Sequence, residues 1–251
     1  MVFFFTCPLP EAEVRDRRAA IHTALCARWP SLCDVPVTTL PSGALAWLLD
    51  RYDRAFFAGL FAANAARVRI TASTRMTRAA GTCTLRRAAQ DAPPSVEIRM
   101  GVDFLFRLLE GPFDVNGLRA PDAIGAFLLV LEHEMCHAAD ALQHGSTDRH
   151  GPRFQALAKG LFGHRRCTHA LPTRAQEAEA QGLGRGAWAS FLYEKKTLSG
   201  RITRVGKTAT VMVPASRGGW RDAEGRRYDK YTVPLSALTP QPERDYTNAK
   251  L

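Results

Sequence analysis

Leu131–Phe154, LEHEMCHAADALQHGSTDRHGPRF, carries four histidines, two glutamates and two aspartates in twenty-four residues. Pro121-Asp122 starts a predicted helix through Gln143, which Gly145-Ser146 closes. Ile124, Phe127, Leu128 and Leu131 make its preceding turns core-like. His133 and His137 lie four residues apart on that helix, so both imidazoles project from one face and can share one metal ion. A catalytic zinc site needs three protein ligands at about 2.0–2.1 Å plus one open position. Glu134 lies about 80° around the helix from the midpoint of the two histidines. Its carboxylate therefore stands where it can accept a proton from an activated water. Met135 points to the opposite side and packs.

The third ligand is narrowed by geometry. His144 falls on the same helical face, but seven residues of helix carry it roughly 10 Å beyond His137. A metzincin would need Gly at position 140 and His at 143, where this chain has Asp140 and Gln143. His150 follows the helix-ending glycine on a loop into the next helix, so the chain can fold back to the metal. Asp140 reads either as a carboxylate supporting the ligands or as an exposed helix residue.

Upstream, a helix is expected from Pro10 to about Trp29 and another from Ala44 to about Ala63, where Leu45, Leu48, Leu49, Tyr52, Phe56 and Leu60 repeat at helical spacing. Tyr52, Phe56 and Phe57 read as core. Arg67–Thr71, Gly81–Leu85 and Ser95–Met100 read as strands, and their short connections predict an antiparallel sheet. Asp91–Pro94 reads as a turn, Val102–Glu110 as a short helix, and Pro152–Leu161 as the helix after the histidine loop. Leu171–Gly186 reads as linker. From Leu198 the texture becomes β-rich, with turn chemistry at Gly206-Lys207.

The 251 residues carry a formal charge of +10, which favours a polyanionic partner, nucleic acid ahead of a membrane surface. No apolar run is long enough to span a bilayer, and the start shows no basic segment ahead of Val2–Phe5, so an intracellular soluble protein is expected. That means nuclear in a eukaryote and cytoplasmic in a bacterium. The six cysteines form no CxxC pair, which predicts mostly free thiols in a reducing compartment.

HEMCH followed by His150-Gly151-Pro152-Arg153-Phe154 resembles the SprT-like (Spartan-type) zinc metallopeptidases. RYDRAFFAGLF (Arg51–Phe61) is similar to the family's aromatic helix, and TRMTRAAGTCTL and SVEIRM to the strands before its active-site helix. The resemblance covers about Ser42 to Arg166. It implies an α+β fold: a zincin-like domain of helices packed on a small antiparallel sheet. It implies one Zn2+ per chain on His133, His137 and His150, with Glu134 as general base. It also implies protein substrates bound or crosslinked to DNA, in the service of DNA repair. The chain departs from members that carry a cysteine zinc ribbon, and HRRCTH (His164–His169) reads instead as a basic surface turn.

Residues 1–41 read as a helical extension, 42–170 as the metallopeptidase domain, 171–197 as a linker, 198–240 as a small β-barrel-like module and 241–251 as a tail. In the module, Arg201, Arg204, Lys207, Arg221, Arg226, Arg227 and Lys230 interleave with Trp220, Tyr228 and Tyr231. Cations hold phosphates and aromatics stack bases, so these basic residues and Trp220 are candidate nucleic-acid contacts. Two rival readings stand beside this one. The first is a non-catalytic, zinc-containing adaptor for nucleic acid, and the second is a peptidase with no nucleic-acid role.

Overall fold

The structure is a computed structural model and describes residues 8–33, 37, 39–76, 79–87, 93–107, 111–168 and 171–242. It divides into two compact units, Met1–Leu171 and Pro172–Leu251.

The first unit begins with α1 (Glu11–Arg28), α2 (Ala44–Phe56) and α3 (Leu60–Ala63). The continuous helix expected over 44–63 breaks at Ala58 and Gly59, both with positive φ. Buried Asp53 then caps the restart, its carboxylate accepting from the N–H groups of Phe61 at 3.0 Å and Ala62 at 2.8 Å. The strands follow as β1 (Val68–Ser73), β2 (Gly81–Arg86) and β3 (Ser95–Gly101). Their order in the sheet is β1-β3-β2, so the expected antiparallel sheet is in fact mixed. β2 and β3 form an antiparallel pair, but β3 inserts beside β1 and runs parallel to it. Short connections dictate the direction of successive strands and leave open which strands become neighbours.

α4 (Val102–Arg107) and a hairpin of β4 (Phe113–Val115) and β5 (Leu118–Ala120) lead into α5 (Ala123–His144). The described part of α4 stops at Arg107, and Glu110 lies outside the described residues, as do Asp91 and Ala92 of the expected turn. The carboxylate of Asp122 caps α5 by accepting from Gly125 N–H at 2.6 Å, and Gly145, at φ 66°, ends it. α5 is buried along most of its length because it packs across β2 and β3 on one side and against α6 (Pro152–Phe162) on another. Val14, Ile21 and Leu25 of α1 enter the same hydrophobic core as α5. Residues 8–33 are thus part of this unit, although the sequence reads them as an extension.

Cys26 and Cys33 are joined as a disulfide, with Cα atoms 5.8 Å apart. The expectation of free thiols holds for Cys83, Cys136 and Cys167 and fails for this pair. No CxxC is needed, because a 3₁₀ turn at Pro30–Leu32 folds the chain back on the end of α1.

In the second unit the stretch read as linker carries α7 (Arg174–Ala180), started by a capping box of Thr173 and Gln176, and strand β6 (Trp188–Tyr193). β7 (Lys196–Val205), β8 (Thr208–Pro214), β9 (Trp220–Arg221), β10 (Arg227–Pro234) and β11 (Thr239–Gln241) complete a sheet of order β11-β6-β7-β8-β10-β9. This is an open six-stranded sheet. Among the described residues the expected barrel does not close, since β11 and β9 are edges that do not pair with each other. Its own core is built on Ala189, Phe191, Ile202, Ala209 and Val211. Of the predicted tail, residues 243–251 lie outside the described residues. No described helix is long and apolar enough to cross a membrane.

Candidate metal centre

Helical spacing presents His133 and His137 together, and the loop after Gly145 returns His150 to them. Nε2 of His133 lies 3.2 Å from Nε2 of His137 and 3.2 Å from Nε2 of His150. The ligand atoms of all three residues lie within 4.8 Å of one another, an arrangement that could hold a metal ion. Ligands about 2.0–2.1 Å from a tetrahedral ion stand about 3.3 Å apart, so the residues fit such an ion. His133 is buried, His137 half-buried and His150 exposed, which leaves the cluster open on one side. Burial, and after it the neighbouring His150, pushes His137 down to about 4. The imidazole is then neutral at pH 7, the form that ligates a metal.

Phe154 forms the floor. It is fully buried, with its ring centroid 4.1 Å from that of His137, 4.8 Å from His133 and 5.0 Å from His150. The phenylalanine four residues after His150 thus fixes the position of all three imidazoles.

Asp140 shapes the loop, and of its two readings the exposed helix residue fails, while its bonds go to the loop and not to the three histidines. It is fully buried and accepts from Asp148 N–H at 2.7 Å and from Arg153 Nε at 2.8 Å. Asp148 in turn accepts from Arg153 N–H at 2.7 Å, and Gln155 Nε2 donates to the carbonyl of His150 at 2.7 Å. His144, which geometry excludes from the cluster, turns away and pairs with Asp140 at 3.1 Å.

Glu134 is buried against β2. A Cβ at Gly81 would lie 2.7 Å from Glu134 Cγ, so only glycine leaves room for this carboxylate. Burial pushes the Glu134 carboxyl up to about 8, and a hydrogen bond from the backbone of Cys83 partly opposes the shift. β2 is an edge strand of its sheet, so the backbone beside Glu134 has no further strand alongside it among the described residues.

Glu132, two residues before Glu134, faces the interior and is fully buried. Arg18 of α1 holds it with two bonds of 2.7 and 2.8 Å, Tyr52 O–H donates to it at 2.9 Å, and His164 Nε2 lies 3.0 Å from it. Burial pushes this carboxyl up, but Arg18 and His164 outweigh it and hold the group below the ordinary carboxylate range. His164, read as part of a surface turn, is therefore an interior residue. Arg18, Tyr52 and His164 come from three segments far apart in sequence, and no local signal joins them.

In the second unit the strand register sorts the candidate nucleic-acid residues. Arg201, Met212 and Lys230 are cross-strand partners on β7, β8 and β10, on the face opposite buried Ile202 and Val211. A register shift between Ile202 and Arg204 turns Arg204 onto the same outer face, as partner of Thr210. Lys230 Nζ lies 4.8 Å from the centroid of the exposed Trp220 ring. Arg201, Arg204, Lys230 and Trp220 thus share one face. Lys207 sits apart at the β7–β8 turn. Arg221 and Arg227 are partners of each other, one register step from Trp220 and so on the reverse side. Arg226 is engaged with Asp222 at 2.6 Å and Glu224 at 2.8 Å.

No model of a known protein family matches the chain, and no curated protein is similar to it.

Proposed function

We propose that the chain is a zinc-dependent metalloendopeptidase acting on proteins associated with or crosslinked to DNA. The observation that carries this reading is the convergence of three histidine Nε2 atoms, with Glu134 one residue from the first ligand on the same helix. His133, His137 and His150 would hold the ion. Bound there, zinc supplies Lewis acidity, polarising a carbonyl oxygen and making a water acidic near pH 7.

The remaining work belongs to the chain. Glu134, ionised, accepts the proton of the attacking water; protonated, it delivers that proton to the leaving amine. A carboxyl pushed up by burial is suited to both halves of that exchange. The open edge of β2 offers backbone N–H and C=O groups to an extended peptide, which would lie as an added strand beside Glu134. Such binding reads the peptide backbone, and side chains contribute little to it. A second element would therefore have to choose among proteins, and the Arg201, Arg204, Lys230 and Trp220 face is suited to attract nucleic acid. The gain is proximity between enzyme and DNA-bound substrate.

The test is degradation of a DNA-binding protein by wild type and Glu134→Gln, with and without DNA, bound zinc being quantified in both. Cleavage by wild type alone, at equal zinc and faster with DNA, is the expected result. Cleavage indifferent to DNA would leave a peptidase without the nucleic-acid role. One equivalent of zinc with no cleavage by either protein would replace hydrolysis with the adaptor reading.

A further inference from the structure

The end of α1 carries a second cluster of reactive side chains, remote in sequence from the histidine loop. Cys26 is half-buried and disulfide-bonded to Cys33, which is exposed. Nδ1 of His22, one turn before Cys26, lies 3.9 Å from Cys26 Sγ. The other ring nitrogen, Nε2, lies 3.1 and 3.2 Å from the two carboxylate oxygens of Asp122. A carboxylate only accepts, so Nε2 carries the proton it donates. In the neutral ring Nδ1 then presents a lone pair toward the cysteine. These groups border a cavity of about 440 Å³, lined among others by Leu32, Val37 and Ile124. A disulfide kept only to staple the fold needs neither a carboxylate-oriented histidine at one sulfur nor open space beside it.

We propose that Cys26–Cys33 is a thiol–disulfide exchange site, taking small thiols of the glutathione class or the thiol of a reducing protein. The two sulfurs have different parts. An incoming thiolate attacks the exposed Cys33 sulfur, an S–S bond forms between them, and the Cys26–Cys33 bond breaks with its electron pair passing to Cys26. His22 Nδ1 takes up the proton the thiol gave up and shares it with the departing Cys26 sulfur. Asp122 stabilises the imidazolium meanwhile. A second thiolate then attacks the incoming group's sulfur in the mixed disulfide and releases Cys33. In sum, two thiols become one disulfide, and Cys26 and Cys33 end as two thiols after a two-electron reduction. A thiol whose anion is stabilised by an adjacent cation leaves faster, so the His22–Asp122 pair selects Cys26 as the leaving group.

The experiment uses the oxidised full-length chain and reduced glutathione as the probe. Timed samples are alkylated, and Cys26 and Cys33 are read by mass spectrometry. Reduction is expected to slow about tenfold in His22→Gln and in Asp122→Asn. Asn keeps a capping oxygen for Gly125, so the second variant separates the carboxylate's charge from its role at the start of α5. In oxidised glutathione, Cys26→Ser should accumulate the adduct on Cys33, with Cys83 and Cys167 unmodified. A fall of less than threefold in folded Asp122→Asn overturns the proposal. So does an adduct spread equally over all the cysteines, or the absence of a Cys26–Cys33 bond in the oxidised protein.

Discussion

Arg18 and Glu132 are separated by 114 positions, yet their pairing is the chief electrostatic commitment of the first unit. Removing one partner of a buried ion pair leaves a charge that the interior cannot solvate, at a cost of about 3–5 kcal/mol. Arg18→Met is therefore expected to lower stability by about 3 kcal/mol in denaturant titrations, since Tyr52 and His164 still hold Glu132. The double variant Arg18→Met/Glu132→Gln should recover part of that loss. Glu97 supplies a different signature. Arg99, at 2.9 Å, and Arg86 hydrogen-bond its carboxylate and hold it at about 2, below its ordinary 4.5. A depressed carboxyl stabilises the fold above its unfolded value and loses that contribution as pH falls from about 4.5 to about 2. Thermal melts should show wild type above Glu97→Gln at pH 7, with the gap closing as pH falls toward 3. These partnerships were illegible in the sequence for one reason. Glu132 adjoins His133 in the chain, but a 100° helical step sends it into the interior, where its partners arrive from other segments.

The histidine loop is where elements and chemistry meet. His133, His137 and the helix end at Gly145 could be read from spacing and turn chemistry, and so could the return of the chain at His150. The means by which the loop is held could not. A helix aspartate such as Asp140 reads as solvent-exposed by default, and only the packed structure turns it inward to Asp148 and Arg153. Groups that orient metal ligands typically change affinity by about 10–100-fold when lost. With zinc as the proposed ion, Asp140→Ala should weaken its binding by about that factor in a competitive chelator titration, with helical circular dichroism retained. The strands teach a similar lesson. Their extents matched the alternating pattern to within a residue or two, because alternation is a local property. The parallel β1–β3 pairing is a choice among partners, which alternation does not encode. At the other end of the chain, Leu171–Gly186 looked like linker because its helix is short and polar. Thr173 and Gln176 were a capping box in plain view.

At the scale of the molecule, the +10 charge becomes specific only once the second unit's sheet sorts it. Under the proposed nucleic-acid role, a reversed charge at Lys230 or Arg201 should weaken DNA binding by the full-length chain. It should also shallow the salt dependence of that binding by about one ion per site removed. The same reversal at Arg226, already neutralised by Asp222 and Glu224, should leave both nearly unchanged. Fluorescence anisotropy over a salt series reads both quantities. Composition had assigned all seven basic residues equally. Register is what divides them, and a β-bulge that moves Arg204 to the other face is invisible to counting.

The Arg18–Glu132 tie has one more consequence, for anyone who would cut this molecule apart. A helix that supplies a buried counter-charge as well as Val14, Ile21 and Leu25 behaves as a missing piece of the core. Fragments beginning near Ser42 would expose a hydrophobic trough with a carboxylate at its base that has lost its arginine. A synthetic peptide spanning residues 8–33, added in trans, has the shape and the charge to refill it. Trimming and complementation are thus two faces of a single architecture, in which the first helix serves as a detachable keystone.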